Sequence, residues 1–346
     1  FDGADATLRT LADLSSARNI SLTGGGIFET DADTTATFSG VVSGNGSLTK
    51  TGTGTLELTG ANTYTGETSL DAGTIRIGAN SALGTNGLTA ADGTTLDFAD
   101  GISITNNIVP NGNLTLNQSG GSASHSGAIT GPGGITKTGT GALTLAGIQT
   151  YDGVTTVAEG TLAVSSDFSL GSTVGNTIVA DGATLDLQGV TTSEAITISG
   201  TGVNGAGALR NSNQYARLNG RVTLAADSTI GSGLWAMELR GGIDGNHDLT
   251  IDAASIVDIM SDLAIDGDLT INGTGIVVLE RDNSFTGNVT VNGGRLASGA
   301  DDGSVYNTIG DTAALTLGTG TSWRLAQSGE TIGSLSGTGD VYIDGF

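Results

Sequence analysis

Apolar and polar residues alternate along this chain in short runs of about four positions, separated by turns that contain glycine. The runs TLEL, TIRI, TLDF and NLTL begin at residues 55, 74, 95 and 113, and an interleaved series, SLTK, TSLD and GLTA, begins at 47, 68 and 87. Alternation with a period of two is typical of a β-strand with one buried face. The pattern therefore predicts an all-β chain whose strands return to the same wall every 19 to 23 residues.

One segment of the chain is repeated. Residues 40–84 align with residues 127–171 at a constant offset of 87, without a gap and with 20 identities in 45 positions. A looser third copy spans residues 267–298, and the interval 172–266 is less regular. Because short strands without helical crossovers can bury their apolar faces only on neighbouring coils, we predict a single-stranded parallel β-helix, continuous over residues 1–346.

The alternation also predicts which side chains face the interior. Leu56 and Leu58, and their counterparts Leu143 and Leu145, should be buried, with Glu57 pointing outward. The recurring glycines should turn the corners between strands, where a positive φ costs glycine little. At the N-terminus, residues 1–20 hold leucines at three-residue spacing, and we expect an irregular coil there rather than a helical cap.

The only two lysines of the chain, Lys50 and Lys137, occupy the same position of the first two copies. The third copy has Ile271 at this position, so the function of the chain does not depend on a lysine there. We therefore interpret both lysines as outward-facing or coil-edge residues without a catalytic role.

Charge and composition restrict the classes of partner. Twelve Lys and Arg residues stand against 35 Asp and Glu residues, and the net charge of −23 disfavours nucleic acid, whose binding depends on cationic side chains. The chain has no cysteine, which excludes disulfides and thiolate metal sites and suits export. No apolar run approaches the roughly 20 residues of a membrane-spanning helix. Because the chain begins with Phe1, we expect a processed or excised piece of a longer protein.

The pattern G-x-L-x-K-x-G-x-G-x-L-x-L-x-G-x-N-x-Y-x-G-x-T, at 44–77 and 131–164 and loosely at 267–296, resembles the autotransporter-associated β-strand repeat of bacterial type V passenger domains. The resemblance implies a right-handed β-helical passenger that is exported and displayed at the cell surface. It also implies an outer-membrane barrel as anchor, which we expect outside these 346 residues, and a C-terminus that stops inside a repeat.

The sequence offers little catalytic or metal-binding chemistry. His125 and His247 are the only histidines and are far apart, so we expect no metal site and no cofactor. Parallel β-helices also carry polysaccharide-active enzymes with paired carboxylates, and the candidate pairs lack the motifs of such enzymes and read as turn residues. These candidate pairs are Asp31/Asp33, Asp97/Asp100, Asp266/Asp268 and Asp301/Asp302.

The least repetitive stretch, 207–262, concentrates residue types that are favoured at protein interfaces. We therefore predict an interaction surface there, formed by Arg217, Arg221, Trp235 and Arg240.

Three functions are compatible with these observations. We favour a non-enzymatic surface adhesin or stalk that acts in attachment, self-association or biofilm, with a host-cell or extracellular-matrix protein, or further copies of the passenger, as partner. The alternatives are a polysaccharide-active enzyme on the same fold and a pure spacer that carries a distal functional head.

Overall fold

A computed structural model describes residues 6–299, 306–325 and 330–343 of the chain. Within these ranges the chain consists of short β-strands and a single 3₁₀ turn, Val203–Gly205, without an α-helix. The paired strands in these ranges run parallel, and this all-β parallel solenoid architecture confirms the predicted fold class. Backbone contacts divide the chain into two compact units, one comprising Phe1–Leu162 and Phe168–Gly175, the other Ala163–Asp167 and Asn176–Phe346.

Most strands of the first unit are three to five residues long, and a few are two residues long. In chain order they are β1 (Ala6–Thr10), β2 (Leu14–Ser16), β3 (Ile20–Leu22), β4 (Gly26–Thr30), β5 (Thr35–Phe38), β6 (Val42–Gly44), β7 (Leu48–Thr51), β8 (Thr55–Leu58), β9 (Thr68–Leu70), β10 (Thr74–Ile77), β11 (Leu88–Ala90), β12 (Thr95–Phe98), β13 (Ser103–Ile104), β14 (Ile108–Pro110), β15 (Leu114–Asn117), β16 (Ser122–His125), β17 (Thr130–Gly131), β18 (Ile135–Thr138), β19 (Ala142–Leu145), β20 (Thr150–Tyr151) and β21 (Thr155–Val157). The next strand, β22, spans Thr161–Val164.

One coil of the first unit presents three strands, as β6, β7 and β8 show. Strands β7 and β8 each pair with the strands about 20 residues earlier and later, so that β7 lies between β4 and β9, and β8 lies between β5 and β10, whereas β6 pairs with β3. The register is one residue to one residue, with Leu56 opposite Ala36 on one side and Ile75 on the other. The predicted return of strands to the same wall is therefore confirmed.

The second copy of the repeat begins on a different wall from the first. Strand β18 corresponds to β7 by sequence, yet it lies on the wall of β8, which runs through β10, β12 and β15 to β18. A coil takes about 20 residues, and an offset of 87 residues is therefore four coils plus one further wall. Equivalent residues of the two copies therefore stack on different neighbouring residues in the adjacent coils.

The second unit is built from parallel strands of the same kind, with one 11-residue strand among them. They are β23 (Thr177–Val179), β24 (Thr184–Asp186), β25 (Thr191–Thr192), β26 (Ile196–Gly200), β27 (Leu209–Asn211), β28 (Ala216–Leu218), β29 (Val222–Ser232), β30 (Met237–Leu239), β31 (Ile243–Gly245), β32 (Leu249–Ala253), β33 (Ile256–Ile259), β34 (Leu263–Ile265), β35 (Leu269–Gly273), β36 (Ile276–Leu279), β37 (Val289–Val291), β38 (Arg295–Ser298), β39 (Ala314–Leu317), β40 (Ser322–Leu325), β41 (Ser334–Gly337) and β42 (Asp340–Ile343).

The long strand β29 accounts for part of the irregularity expected in this interval. Its first half pairs with β26 and its second half with β27, and the register to β26 shifts between Ile198 and Gly200. One strand therefore serves two walls, and the chain between β26 and β27 is accommodated by the 3₁₀ turn at Val203–Gly205.

The interior of each unit is lined by the alternate residues of the strands. Leu56, Leu58, Leu143 and Leu145 are fully buried, and Glu57 between the first two is partly exposed, as predicted. At the N-terminal end, the described residues from 6 onward form the strands β1 and β2, which pair with β4 and β5, rather than the helical cap that was the alternative; residues 1–5 of the predicted coil lie outside the described residues.

The glycines act in two ways, of which the sequence indicated one. Gly52 has φ +69° and turns a corner, as predicted. Gly54 does not have a positive φ; a Cβ placed there would lie 2.1 Å from the carbonyl oxygen of Asp31 in the preceding coil. Glycine is required at such positions because consecutive coils approach too closely for any side chain.

The interpretation of Lys50 and Lys137 as outward-facing or coil-edge residues is wrong, because both side chains are fully buried. The stem of Lys50 is stacked between Phe28 and Leu70 in the interior ladder, and that of Lys137 between Leu116 and Val157. The alternation of the strands does place these positions inside, and the assumption that a lysine must face water caused the error.

Each buried ammonium group binds three backbone carbonyls. Lys50 Nζ donates to the carbonyl oxygens of Thr51, Gly52 and Ala72 at 2.8, 2.6 and 3.1 Å. Lys137 Nζ makes the equivalent three bonds at 2.8, 2.7 and 3.1 Å, the last to the carbonyl of Glu159. Three N–H donors thus meet three acceptors, so each lysine ties its own turn to the turn of the next coil.

Candidate interaction surface

Three of the four predicted surface residues lie around β28 and β30 in the second unit. Arg217, in the middle of β28, is directly opposite Glu238 of β30, and its Nε donates to Glu238 Oε2 at 2.9 Å. Arg240, which follows β30, donates to the same carboxylate oxygen at 2.7 Å. The structure therefore brings Arg217 and Arg240 together on one glutamate.

The aromatic residues of this region sit on the two loops that precede these strands. The guanidinium carbon of Arg217 lies 4.9 Å from the ring centroid of Tyr215, a cation–π contact. Trp235 is half exposed and its neighbour Leu234 almost fully exposed. Buried Asn211 holds both loops, because its Nδ2 donates to the carbonyls of Gln214 and Ala236 at 2.7 and 3.0 Å.

The fourth predicted residue, Arg221, has a different partner. It precedes β29 and its Nη1 donates to Asp244 Oδ2 at 2.9 Å. Arg221 thus has a carboxylate of its own, whereas Arg217 and Arg240 share that of Glu238, so the acidic residues offset much of the positive charge of this surface. That these residues form an interaction surface remains a prediction.

A cavity of about 260 Å³ opens on the outer face of the same sheet, further along the second unit. Its floor includes Ile276 and Val278, and Asp258 and Arg295 stand at its edge. Burial, together with the nearby carboxylates of Glu280 and Glu238, raises the pKa of Asp258 to about 7. The group is therefore partly protonated at neutral pH.

Four of the carboxylates considered for catalysis form structural contacts. Asp97 pairs with Arg76 at 3.1 Å, and Asp31 pairs with Arg9 at the same distance. Asp100 and Asp268 each accept a backbone N–H at 2.7 Å, from Ser122 and Asn288 respectively. Their partners lie one coil away rather than in the same turn, so these acids join coils. The pair Asp301/Asp302 lies outside the described residues.

The two histidines also have structural environments. His125 is fully buried in the interior ladder, its Nε2 is 2.8 Å from the carbonyl of Asn106, and burial lowers its pKa, so it is neutral. His247 lies at the surface with Nδ1 3.7 Å from Asp227. Among the described residues, no group of three or more His, Cys, Asp or Glu side chains is arranged to hold a metal ion. No helix in the described ranges is long and apolar enough to cross a membrane.

A further cavity, in the first unit, was not anticipated from the sequence. This corner notch has a volume of about 380 Å³, and it lies between the turn after β10 and the equivalent turn one coil later. Its lining consists of asparagine, serine, threonine and glycine, including Asn80, Ser81, Thr85, Asn86, Thr105 and Asn107. A comparison of the two copies could have indicated this site, because they differ at several of these surface positions while they agree in the core.

The passenger-associated-transport-repeat model matches the chain three times, at residues 48–77, 135–164 and 269–297, which is well under half of its length. No curated protein and no solved structure gives a match to the chain. Three such repeats on a parallel β-solenoid are the arrangement of an autotransporter passenger domain, a secreted or cell-surface class of protein. The recognition of the repeats is thereby confirmed, including the loose third copy.

Proposed function

We propose that this chain is a surface-displayed autotransporter passenger that acts without catalysis, as an adhesin or structural stalk in attachment, self-association or biofilm. One observation carries the proposal: the residues that recur between the copies are interior or corner residues, as Lys50, Leu56 and Gly52 illustrate. The repeat thus specifies a scaffold, and whatever distinguishes this passenger lies in the outward side chains.

The outward side chains favour contact with macromolecules over turnover of a substrate. Four of the candidate carboxylates, Asp31, Asp97, Asp100 and Asp268, form ion pairs or accept backbone N–H groups. The region around Trp235 and Arg217 offers an exposed aromatic ring and an oriented guanidinium, the groups that dominate protein interfaces. The partners proposed are a host-cell or matrix protein, or further copies of the passenger.

Attachment by the bacterium that encodes the protein tests this function. Intact cells should bind antibody raised against the chain, and deletion of the gene should lower attachment to matrix-coated surfaces or autoaggregation, with recovery on complementation. Complementation with Trp235→Ala and Arg217→Ala together should restore display but not attachment. The control Arg76→Ala removes another outward, ion-paired arginine of a sheet and should restore both.

Two outcomes would overturn the proposal. Deletion cells that attach and aggregate like the parent would reduce this segment to a spacer. Polysaccharide turnover by the purified chain, abolished by replacing one carboxylate pair, would make it an enzyme.

A further inference from the structure

We propose that the corner notch of the first unit binds a neutral sugar. This inference goes beyond the proposed function, because it assigns a ligand class to a cavity that lies outside the Trp235 region and outside the residues matched by the family model. The cavity of about 380 Å³ falls in the range of small-molecule sites, roughly 300–1,000 Å³.

Two asparagine side chains of the notch are held in place through their oxygen atoms. Asn80 Oδ1 accepts the backbone N–H of Ser103 at 2.9 Å, and Asn107 Oδ1 accepts that of Ala128 at 3.1 Å. Neither Nδ2 group donates to another described residue, although each carries two N–H donors. The two amides are thus oriented by the backbone with their donors left over for a ligand, which lowers the entropy cost of binding.

Hydroxyl groups and a fixed floor complete the site. Ser81 and Thr105 line the notch, and their hydroxyls have no hydrogen-bond partner among the described residues. Beneath them, buried Asn106 donates from Nδ2 to the carbonyls of Gly84 and Asn86 at 3.3 and 2.5 Å, which fixes the shape of the turn. A ligand here must accept from amide N–H groups and both donate to and accept from hydroxyls, as sugar hydroxyls do.

The electrostatics select a ligand without charge. The described residues that line the notch are all asparagine, serine, threonine or glycine, so no cationic group compensates an anion and no carboxylate compensates a cation. The net charge of −23 further disfavours an anionic ligand. A neutral pyranose satisfies the donors and acceptors without burying an unpaired charge.

The second copy of the repeat shows that this surface is not a requirement of the scaffold. At the positions of Asn80, Ser81 and Gly87 it has Asp167, Phe168 and Val174. Asp167 still accepts a backbone N–H from the next coil, that of Thr191 at 2.7 Å, so the structural bond survives without an amide. The asparagine at position 80 therefore contributes a donor that the fold itself does not need.

This equivalence provides a variant that separates binding from folding. Asn80→Asp keeps the Oδ1 acceptor for Ser103 and removes the Nδ2 donor, so it should leave the melting temperature unchanged. Losing one oriented donor and adding a carboxylate should weaken sugar binding about tenfold or more. Ser81→Phe, which places the residue of the second copy in the notch, should block binding sterically.

The experiment uses the purified chain and methyl glycosides of glucose, galactose and mannose as probes, with glucosamine and galacturonic acid as charged comparators. Saturable shifts of the side-chain amide resonances of Asn80 and Asn107 in nuclear magnetic resonance spectra are expected for at least one neutral glycoside. Asn19→Asp is the matched control, because Asn19 Oδ1 accepts the N–H of Val41 in the same way outside the notch. It adds the same charge and should bind as the parent does.

The proposal is overturned if no neutral glycoside gives a saturable shift, if the charged sugars bind as well as the neutral ones, or if Asn80→Asp binds like the parent. These results are independent of whether cells carrying the protein attach, so the notch and the adhesive function fail or succeed separately.

Discussion

At the scale of single residues, the buried lysines show how this solenoid provides hydrogen-bond donors for the backbone carbonyls of its turns. The turn after β7 directs the carbonyl oxygens of Thr51 and Gly52 toward the Lys50 ammonium group, and buried carbonyls without a hydrogen bond are costly. Lys50 resolves this by passing an apolar stem through the core and delivering three donors at its end. Burial lowers the pKa of Lys50 and of Lys137 to about 8, which leaves both protonated at neutral pH.

The lysines should therefore titrate well below the ordinary value of 10.5. Because the pKa of both lysines is lowered in the folded state, the unfolded chain binds more protons than the folded chain between about pH 8 and 10.5. The free energy of unfolding should therefore rise with pH over this range, so the contribution of the lysines is fully present above pH 10.5 and is lost as the pH falls through about 8. With only two lysines in the chain, carbon resonances next to the amines should show two titrations near pH 8. The same resonances in the urea-unfolded chain are the control, and two folded-state titrations near 10.5 would contradict the burial of the charge.

A second residue-scale prediction follows from an exchange between the copies. The hydroxyl of Tyr64 lies 2.6 Å from Thr68 Oγ1 in the interior, and the second copy has the same pair at the same distance. The third copy replaces both members, with buried Phe285 and Val289. Burial also raises the pKa of Tyr64, so its hydroxyl remains neutral and able to donate.

A double-mutant cycle on this pair should be strongly non-additive. Thr68→Val alone leaves the Tyr64 hydroxyl buried without its partner and should cost about 1–3 kcal/mol of unfolding free energy. Tyr64→Phe with Thr68→Val reproduces the third copy and should be close to neutral. Urea unfolding of the four proteins measures the coupling, and a double variant as unstable as the sum of the singles would refute the pairing.

The sequence predicted the strands well because their signal is local. Every run singled out, from SLTK at Ser47 to NLTL at Asn113, overlaps a strand with the expected buried face. It did not predict the corner notch or the ties of Asp100 to the next coil, since these depend on which residue stacks on which about 20 positions away. The lysine error has a different origin, because the local alternation places Lys50 and Lys137 inside and only the assumption that a lysine faces water led to the opposite prediction.

At the scale of elements, the corners are joined by side chains as well as by strands. Asp227 Oδ1 accepts the N–H of Asp248, Asp248 that of Asp268, and Asp268 that of Asn288, at 3.1, 2.8 and 2.7 Å. Asn288 continues the series with Ala314 at 3.2 Å. Each bond of this series needs an acceptor oxygen but no negative charge. Part of the negative net charge of the chain therefore follows from the use of aspartate as the acceptor.

The strand β33 carries a carboxylate whose ionisation should reduce stability. Asp258 lies opposite Glu238 of β30, with Glu280 beyond β36 adding negative charge and Arg240 opposing it. Since its folded pKa is raised to about 7 from an ordinary 3.8, its contribution to stability is present below pH 3.8 and lost as the pH rises through about 7.

Asp258→Asn should therefore raise the melting temperature at pH 8 and leave it almost unchanged at pH 4, where the carboxyl of the parent is itself neutral. Thermal unfolding of both proteins between pH 4 and 8 provides the measurement. The control Asp244→Asn weakens an ion pair with Arg221 and should give no stabilisation at pH 8. A pH-independent difference for Asp258→Asn would indicate a packing effect instead.

At the scale of the whole molecule, the net charge of −23 governs how copies of the passenger meet. Like charge repels copies at long range, and salt shortens that range to about 8 Å at physiological ionic strength. Attraction between copies must then come from short-range contacts, such as hydrogen bonds from threonine, serine and asparagine side chains. Because a repeated coil presents a weak contact many times, such contacts act together once repulsion is screened.

Self-association should accordingly strengthen as salt rises from low to physiological concentration, whereas binding to a cationic matrix protein should weaken. The variant Asp248→Asn with Asp268→Asn provides a matched test, because asparagine at position 288 already serves as the acceptor at this corner and only the two charges are lost. It should associate at lower salt than the parent. Sedimentation velocity across a salt series, beside a pull-down on the cationic ligand, measures both effects. A parent that stays monomeric at every salt concentration and captures no ligand would contradict the adhesive function and leave the spacer.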